Sequence, residues 1–345
     1  VQSSVSFTLG ANVENLLLEG TGAINGTGNA LANSITGNDA ANLLDGGTGA
    51  DTMTGGLGND TYVVERGADL VVELAVGGTD LVRSSVTYLL ASELENLLLT
   101  GTGAIDGTGN ALANSITGNA AANRLDGGAG ADTLAGGEGN DTYMIDDAGD
   151  QAVENANQGI DLVQSAITFV LGGNFENLTL TGSGAVNGTG NGKANVLNGN
   201  SAANTLKSLG GADIVAGGGG TDKLYGGAGN DTLTGGNGAD KFYFDTATGA
   251  ANIDLVTDFA PGQDKVVLDK TVFGALGAIG ALGGTAFKVG TAATSLAQRV
   301  VFNPATGALY YDADGKGAGA QVQIATLLGA TTPLTLTAAD FQVVA

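Results

Sequence analysis

At 345 residues the chain has room for two or three domains, yet it carries 61 glycines, 3 prolines, 5% aromatic residues and no Trp, Cys or His. Large side chains are too scarce for a thick core, so a thin solenoid with one or two side chains across its interior fits better. The net charge of −23, from 12 basic and 35 acidic residues, excludes nucleic acid and anionic membrane surfaces as natural partners and points to cations.

Repeats govern the first two thirds of the chain. ENLLLEGTGAINGTGNALANSITGN starts at Glu14, a near copy starts at Glu95, and a looser third copy starts at Glu176. Each start lies 81 residues after the last, which is nine nines, so the long repeat keeps the phase of a shorter one. Nonapeptides of the first module begin at Gly28, Gly37, Gly46 and Gly55. Their sixth places hold Asn33, Asn42, Asp51 and Asp60, and their eighth places hold Ile35, Leu44, Met53 and Tyr62. The second module repeats this with Asn114, Asn123, Asp132 and Asp141 over Ile116, Leu125, Leu134 and Tyr143. Glycines allow a tight turn with positive φ, and the apolar eighth place reads as the inward residue of a short strand. Two nonapeptides make one coil, so sixth-place residues eighteen apart stack on one edge. Asn in that place keeps an oxygen but no charge, which leaves two readings, a hydrogen-bonded ladder and a weak ligand, of which the ladder is expected.

Glycines thin out after each block while the acids hold register. Asp51 is followed at eighteen residues by Asp69, and Asp132 by Asp150. Asp60 is followed at twenty by Asp80, and Asp141 by Asp161, with the two extra residues absorbed as a bulge in the loop. These four pairs are calcium candidates. Residues 81–88, 97–100, 162–169 and 178–181 are rich in Val, Leu and Thr and read as strands. No segment keeps a helical period.

In the third module Asn195 and Asn204 lead into four acidic nines at 208–243: SLGGADIVA, GGGGTDKLY, GGAGNDTLT and GGNGADKFY. Asp213, Asp222, Asp231 and Asp240 hold the sixth places; Val215, Leu224, Leu233 and Phe242 hold the eighth. Ca²⁺ takes six to eight hard oxygen ligands, which carboxylates and the carbonyls of a glycine turn can supply. Stacking would set Asp213 over Asp231 and Asp222 over Asp240, each pair bracketing an ion. A flexible glycine linker has no reason to keep Asp and an apolar residue in fixed phase.

This stretch resembles the RTX (repeats-in-toxin, haemolysin-type) calcium-binding proteins. The resemblance implies an all-β fold, a right-handed parallel β-roll or β-solenoid of nonapeptide repeats with a C-terminal β-rich cap. It implies a chain that is disordered without calcium, leaves a Gram-negative cell through a type I secretion channel and folds in the calcium-rich medium outside. It further implies that carbonyls of Gly218, Gly220, Gly235 and Asn237 join Asp222 and Asp240 around one ion. The expected partners are several Ca²⁺ ions and the type I secretion machinery, and the expected location is extracellular or at the cell surface.

Composition shifts after Phe244, which divides the chain into a calcium-binding solenoid at 1–245 and a capping region at 246–345. The segment NIDLVTDFAPGQDKVVLD at 252–269 resembles the one that follows the β-roll in RTX proteins. Asp258 lies eighteen beyond Asp240 and is expected to close the last site, with Asp254, Asp264 and Asp269 as further acids outside the register. Phe259, Val266 and Leu268 would cover the open end of the solenoid. Residues 300–311 and 321–326 read as paired strands around NPATG and DADGKG turns. YDADG resembles the start of an EF-hand loop, but the twelfth place counted from Asp312 is Gln323 and not Glu, so it reads as a turn. The tail LTLTAADFQVVA resembles an uncleaved type I secretion signal. Val1 is not a start residue and no charged-then-apolar leader follows it, so the chain reads as the end of something longer or a processed product.

Without His or Cys, the usual zinc sites and the Ser-His-Asp and Cys-His systems are excluded, and neither a GxSxG elbow nor a GxxxxGK[ST] loop occurs. Carboxylates fall on a calcium register and not in a cleft with sugar platforms, so no enzymatic activity is expected. The leading expectation is a calcium-binding secreted structural module that folds outside the cell and supports type I secretion. The alternatives are a self-assembling surface-layer, adhesin or filament subunit, and the C-terminal tail of a secreted lipase or protease.

Overall fold

Strands of two to six residues alternate with glycine turns along almost the whole chain, and in the repeats most strands lie parallel to the one two strands earlier. The computed structural model describes residues 1–329 and 333–345. It is a parallel β-solenoid in two units, Val1–Gln164 and Ser165–Ala345. Among the described residues there is no α-helix, only the 3₁₀ turns Gly284–Ala286 and Ala338–Asp340. Among the described residues no helix is long and apolar enough to cross a membrane.

In the first unit a nine-stranded sheet forms one wall, and the opposite wall is a five-stranded sheet followed by a third sheet that begins at Tyr88–Leu89. Ser34 pairs with Thr52 and Thr52 with Leu70, so one coil takes eighteen residues. The alternation of strands puts every eighth-place side chain inside, where Ile35, Leu44, Met53 and Tyr62 are fully buried. Between Asn15–Leu18 and Asn96–Leu99, the starts of two successive modules, lie nine strands counting the first. Nine is odd, so the second module begins on the nine-stranded wall whereas the first begins on the five-stranded one.

Coil width changes between modules. Leu81 pairs with Thr61, twenty residues back, and with Asn96, fifteen ahead. The expected single strand at 81–88 is two strands, Leu81–Ser84 and Tyr88–Leu89, and 162–169 is likewise split into Leu162–Ser165 and Phe169–Val170. The cause is a buried serine. Ser84 Oγ donates to the Val86 carbonyl at 2.7 Å and accepts from its N–H at 3.2 Å, and this local pairing turns the backbone out of the ladder.

In the second unit the same ladder runs from Asn177–Leu180 to Lys241–Phe244 and then continues. Asp254–Val256 adds in parallel to Thr232–Asn237, and Lys265–Asp269 to Lys241–Phe244. A last coil is made by Val322–Leu327 and Phe341–Val344, again parallel. Phe259, Val266 and Leu268 are fully buried, and Phe259 meets Phe242 at 6.0 Å between ring centroids. Val300–Asn303, Ala308–Tyr311 and Val322–Leu327 pair antiparallel around the NPATG and DADGKG turns. Asp312 Oδ1 accepts the Gly315 N–H at 2.8 Å, which closes the second of these as a turn.

Candidate metal centres

Each sixth-place aspartate caps a main-chain amide one coil earlier. In the first module Asn42 N–H donates to Asp60 Oδ1 (2.7 Å), Asp60 N–H to Asp80 Oδ1 (2.7 Å) and Asp80 N–H to Glu95 Oε2 (2.8 Å). Along the other edge Asn33 N–H donates to Asp51 (2.7 Å) and Asp51 N–H to Asp69 (3.2 Å). The second module repeats both series, Asn114 to Asp132 to Asp150 and Asn123 to Asp141 to Asp161. In the second unit Asn195, Asp213, Asp231 and Asp254 form one series, and Asn204, Asp222, Asp240 and Asp264 the other.

This geometry uses one oxygen of each carboxylate and leaves the other. Oδ2 of Asp51, Asp60, Asp80, Asp132, Asp141, Asp213, Asp222 and Asp231 is buried and has no hydrogen-bond partner. Burying a charged oxygen without a partner is costly unless a cation meets it. The ion pairs among the described residues, Arg124–Asp126 at 3.1 Å and Lys193–Glu176 at 3.0 Å, do not reach these aspartates. Burial accordingly pushes the carboxyls up: Asp60, Asp141, Asp222 and Asp231 to about 6, helped in each case by a neighbouring carboxylate of the stack. Burial also raises Asp51, Asp80, Asp132, Asp213, Asp240 and Asp264.

The free oxygens sit in cradles that only glycine leaves open. A Cβ added at Gly217 would come within 2.5 Å of Asp222 Oδ2 and 2.6 Å of the Gly235 carbonyl, so both oxygens face the same hollow. A hollow lined by carboxylate and carbonyl oxygens suits a hard cation such as Ca²⁺.

Asn residues on the same register need no ion. Asn42 Oδ1 accepts the Asn38 N–H of its own turn at 2.8 Å, and its Nδ2 donates to the Ile24 carbonyl at 2.6 Å. Asn123 and Asn204 repeat the pattern with Ile105 and Val186. The ladder expected for these residues is therefore present, but it runs from side chain to main chain and not from Asn to Asn.

The predicted pairs 51/69, 60/80, 132/150, 141/161, 213/231 and 222/240 are all brought together. The pair 240/258 is not joined by this hydrogen bond, although the Asp258 charge helps to raise the Asp240 carboxyl. Asp264 takes the place beneath Asp240, and Asp258 instead accepts the N–H groups of Gly235 (2.9 Å) and Gly236 (2.8 Å). The residues between Phe244 and Asp254 lengthen this coil, so a count of eighteen lands short. Asp69 and Asp150 differ from the other acids. Their second oxygens accept turn amides, those of Arg66 (3.0 Å) and Asp147 (2.9 Å), and are already satisfied. Of the four carbonyls, that of Gly235 faces Asp222, whereas that of Asn237 accepts the Gly220 N–H at 2.8 Å; Gly218 pairs with Gly236 across the ladder.

Two acids were missed in the sequence, Glu73 and Glu154. Carboxylate oxygens of Asp60, Glu73 and Asp80 lie within 4.8 Å of one another, as do those of Asp141, Glu154 and Asp161. Burial pushes Glu73 up to about 7. The signal was available: Glu73 stands eighteen after Gly55, and Glu154 eighteen after Gly136, in the place of a nonapeptide's first glycine.

The RTX calcium-binding nonapeptide repeat matches the chain in four copies, at residues 27–71, 108–143, 189–224 and 217–246. The chain contains RTX calcium-binding nonapeptide repeats. The matches cover the glycine turns that carry the RTX aspartates from Asp51 to Asp69, Asp132 to Asp141 and Asp213 to Asp240. RTX repeats bind Ca²⁺, and the buried acidic clusters fit several ions. No curated protein matches the chain.

Proposed function

We propose that the chain is a calcium-dependent folding module of an exported protein, acting through its ions and not through catalysis. In this reading it leaves the cell through a type I secretion channel as an acidic, unfolded chain and stacks into coils on meeting calcium outside. Residues 1–245 bind most of the ions. Residues 246–345 add Asp254 and Asp264 to the stacks, close the solenoid and end in the export signal.

The observation that carries this reading is the row of buried Oδ2 atoms without partners. Bound Ca²⁺ supplies the positive charge that lets two carboxylates of adjacent coils stay ionised side by side. The unfolded chain holds no such cradle, so ion binding contributes directly to folding. The far-UV circular dichroism of the intact chain tests this. A coil-like spectrum in chelator that turns β-rich on adding calcium, and not on adding magnesium, is expected. A spectrum that chelator leaves unchanged overturns the reading.

A further inference from the structure

The wide coils of the two nearly identical modules differ from the other coils in three linked ways. Each has twenty residues, each carries a glutamate where a nonapeptide has its first glycine, and each is preceded by a tyrosine at the eighth place. The Tyr62 hydroxyl donates to Glu73 Oε1, and the Tyr143 hydroxyl to Glu154 Oε1. In the acidic nines of the third module the eighth place after Asp240 is Phe242, and eighteen beyond Gly235 stands Ile253. Hydroxyl and glutamate are thus present together or missing together.

We propose that Asp60, Glu73 and Asp80, and likewise Asp141, Glu154 and Asp161, form a second kind of cation site, closed by a glutamate that a buried tyrosine holds in place. This rests on the calcium reading above and extends it to a site built from three carboxylates. Four observations carry it. The ligand oxygens of each trio lie within 4.8 Å of one another. Asp60 and Asp80 are each 1% exposed, and Oδ2 of both is unpartnered. A Cβ placed at Gly55 would overlap Asp60 Oδ2, Glu73 Oε1 and the Tyr62 hydroxyl, so all three point at one hollow. The two residues that widen the coil also keep Asp80 beneath Asp60, whose N–H reaches Asp80 Oδ1 at 2.7 Å.

Three carboxylates and no nitrogen or sulfur donor select a hard, oxygen-seeking cation. Ca²⁺ is the natural occupant, and Tb³⁺ serves as a luminescent probe. The chain has no Trp, so tyrosine is its antenna, and Tyr62 and Tyr143 stand beside the ligands. Tyr62 and Tyr143 are positioning residues, since the glutamates and aspartates hold the ion.

Equilibrium dialysis of the intact chain with Ca²⁺, together with tyrosine-sensitised Tb³⁺ emission, tests the inference. The Glu73→Gln/Glu154→Gln variant is expected to bind two fewer ions per chain while still folding in calcium. The Tyr62→Phe/Tyr143→Phe variant should keep both ions, bind them roughly 10-fold more weakly and lose much of the Tb³⁺ emission. An unchanged ion count and emission in the Gln variant overturn the inference. Should the Gln variant fail to fold in calcium, the Phe variant decides, and undiminished affinity there overturns it. A parent chain that binds no calcium sinks the folding reading itself; a parent chain that binds calcium as many-fold as its Gln variant sinks only this site.

Discussion

Asp222 and Asn204 occupy the same place in successive coils and solve the same problem differently. Asn204 satisfies its side chain with protein partners, taking the Asn200 N–H and giving to the Val186 carbonyl. Asp222 satisfies one oxygen and leaves the other for a cation. Replacing Asp222 by Asn should therefore remove one ion and, when calcium is scarce, make the folded chain more stable. The new amide can donate to the Gly235 carbonyl that shares the cradle. The variant should gain about 1–3 kcal/mol of unfolding free energy over the parent at limiting calcium, read by urea denaturation, and respond less as calcium is raised to saturation. The phase of nine made Asp222 legible as a candidate, because spacing alone puts it over Asp240. What spacing does not reveal is that only one of its oxygens is left over, since that depends on which amide lies above. Glu73 escaped for a related reason: its role depends on a glycine one coil away, not on any neighbour in sequence.

Turns and coils set what the array tolerates. Gly220 has φ near +114°, and a Cβ there would fall 2.6 Å from the Ala202 carbonyl carbon and 2.7 Å from the Ala203 nitrogen of the coil above. Gly220→Ala combines left-handed backbone strain with a main-chain clash. It should lower the unfolding free energy in saturating calcium by more than about 1 kcal/mol, as read by urea denaturation. Inside the walls each coil offers one large side chain per strand, so Leu224→Ala, at a fully buried position, should cost about 2–5 kcal/mol in the same assay. The coils at 28–62 and 208–243 were readable because glycine phase and burial phase coincide there. At 252–269 the count of eighteen picked Asp258 where Asp264 stacks under Asp240, because loop length is not written in the nonapeptide. Similarly, the split of 81–88 comes from one buried serine hydroxyl, which a run of Val and Leu conceals.

For the chain as a whole, folding and protonation are linked with one sign. Where shifts are resolved among the stacked acids, burial moves them upward, to about 6 for Asp60, Asp141, Asp222 and Asp231 and to about 7 for Glu73 and Asp254. Their ordinary values are 3.8 for Asp and 4.5 for Glu, so between those values and about 7 the folded chain holds protons that the unfolded chain has lost. Without calcium, stability should rise as the pH falls through that window, because protons neutralise the stacks in place of ions. With saturating calcium the trend should reverse, since protons then compete for the same oxygens. The β content by far-UV circular dichroism in chelator, and urea midpoints in saturating calcium, both from about pH 8 to about pH 5, check the two slopes. A chelated chain that loses stability on mild acidification would contradict the burial geometry.

The odd strand number of the 81-residue module has an evolutionary corollary. Deleting or duplicating a single module would shift everything downstream by half a turn, so that edges exposed on the left become edges exposed on the right. Only changes by two modules conserve parity. Any surface along this array that evolved to meet a partner from one side would therefore be inherited in even steps, and a chain gaining one copy would present that surface to the opposite side.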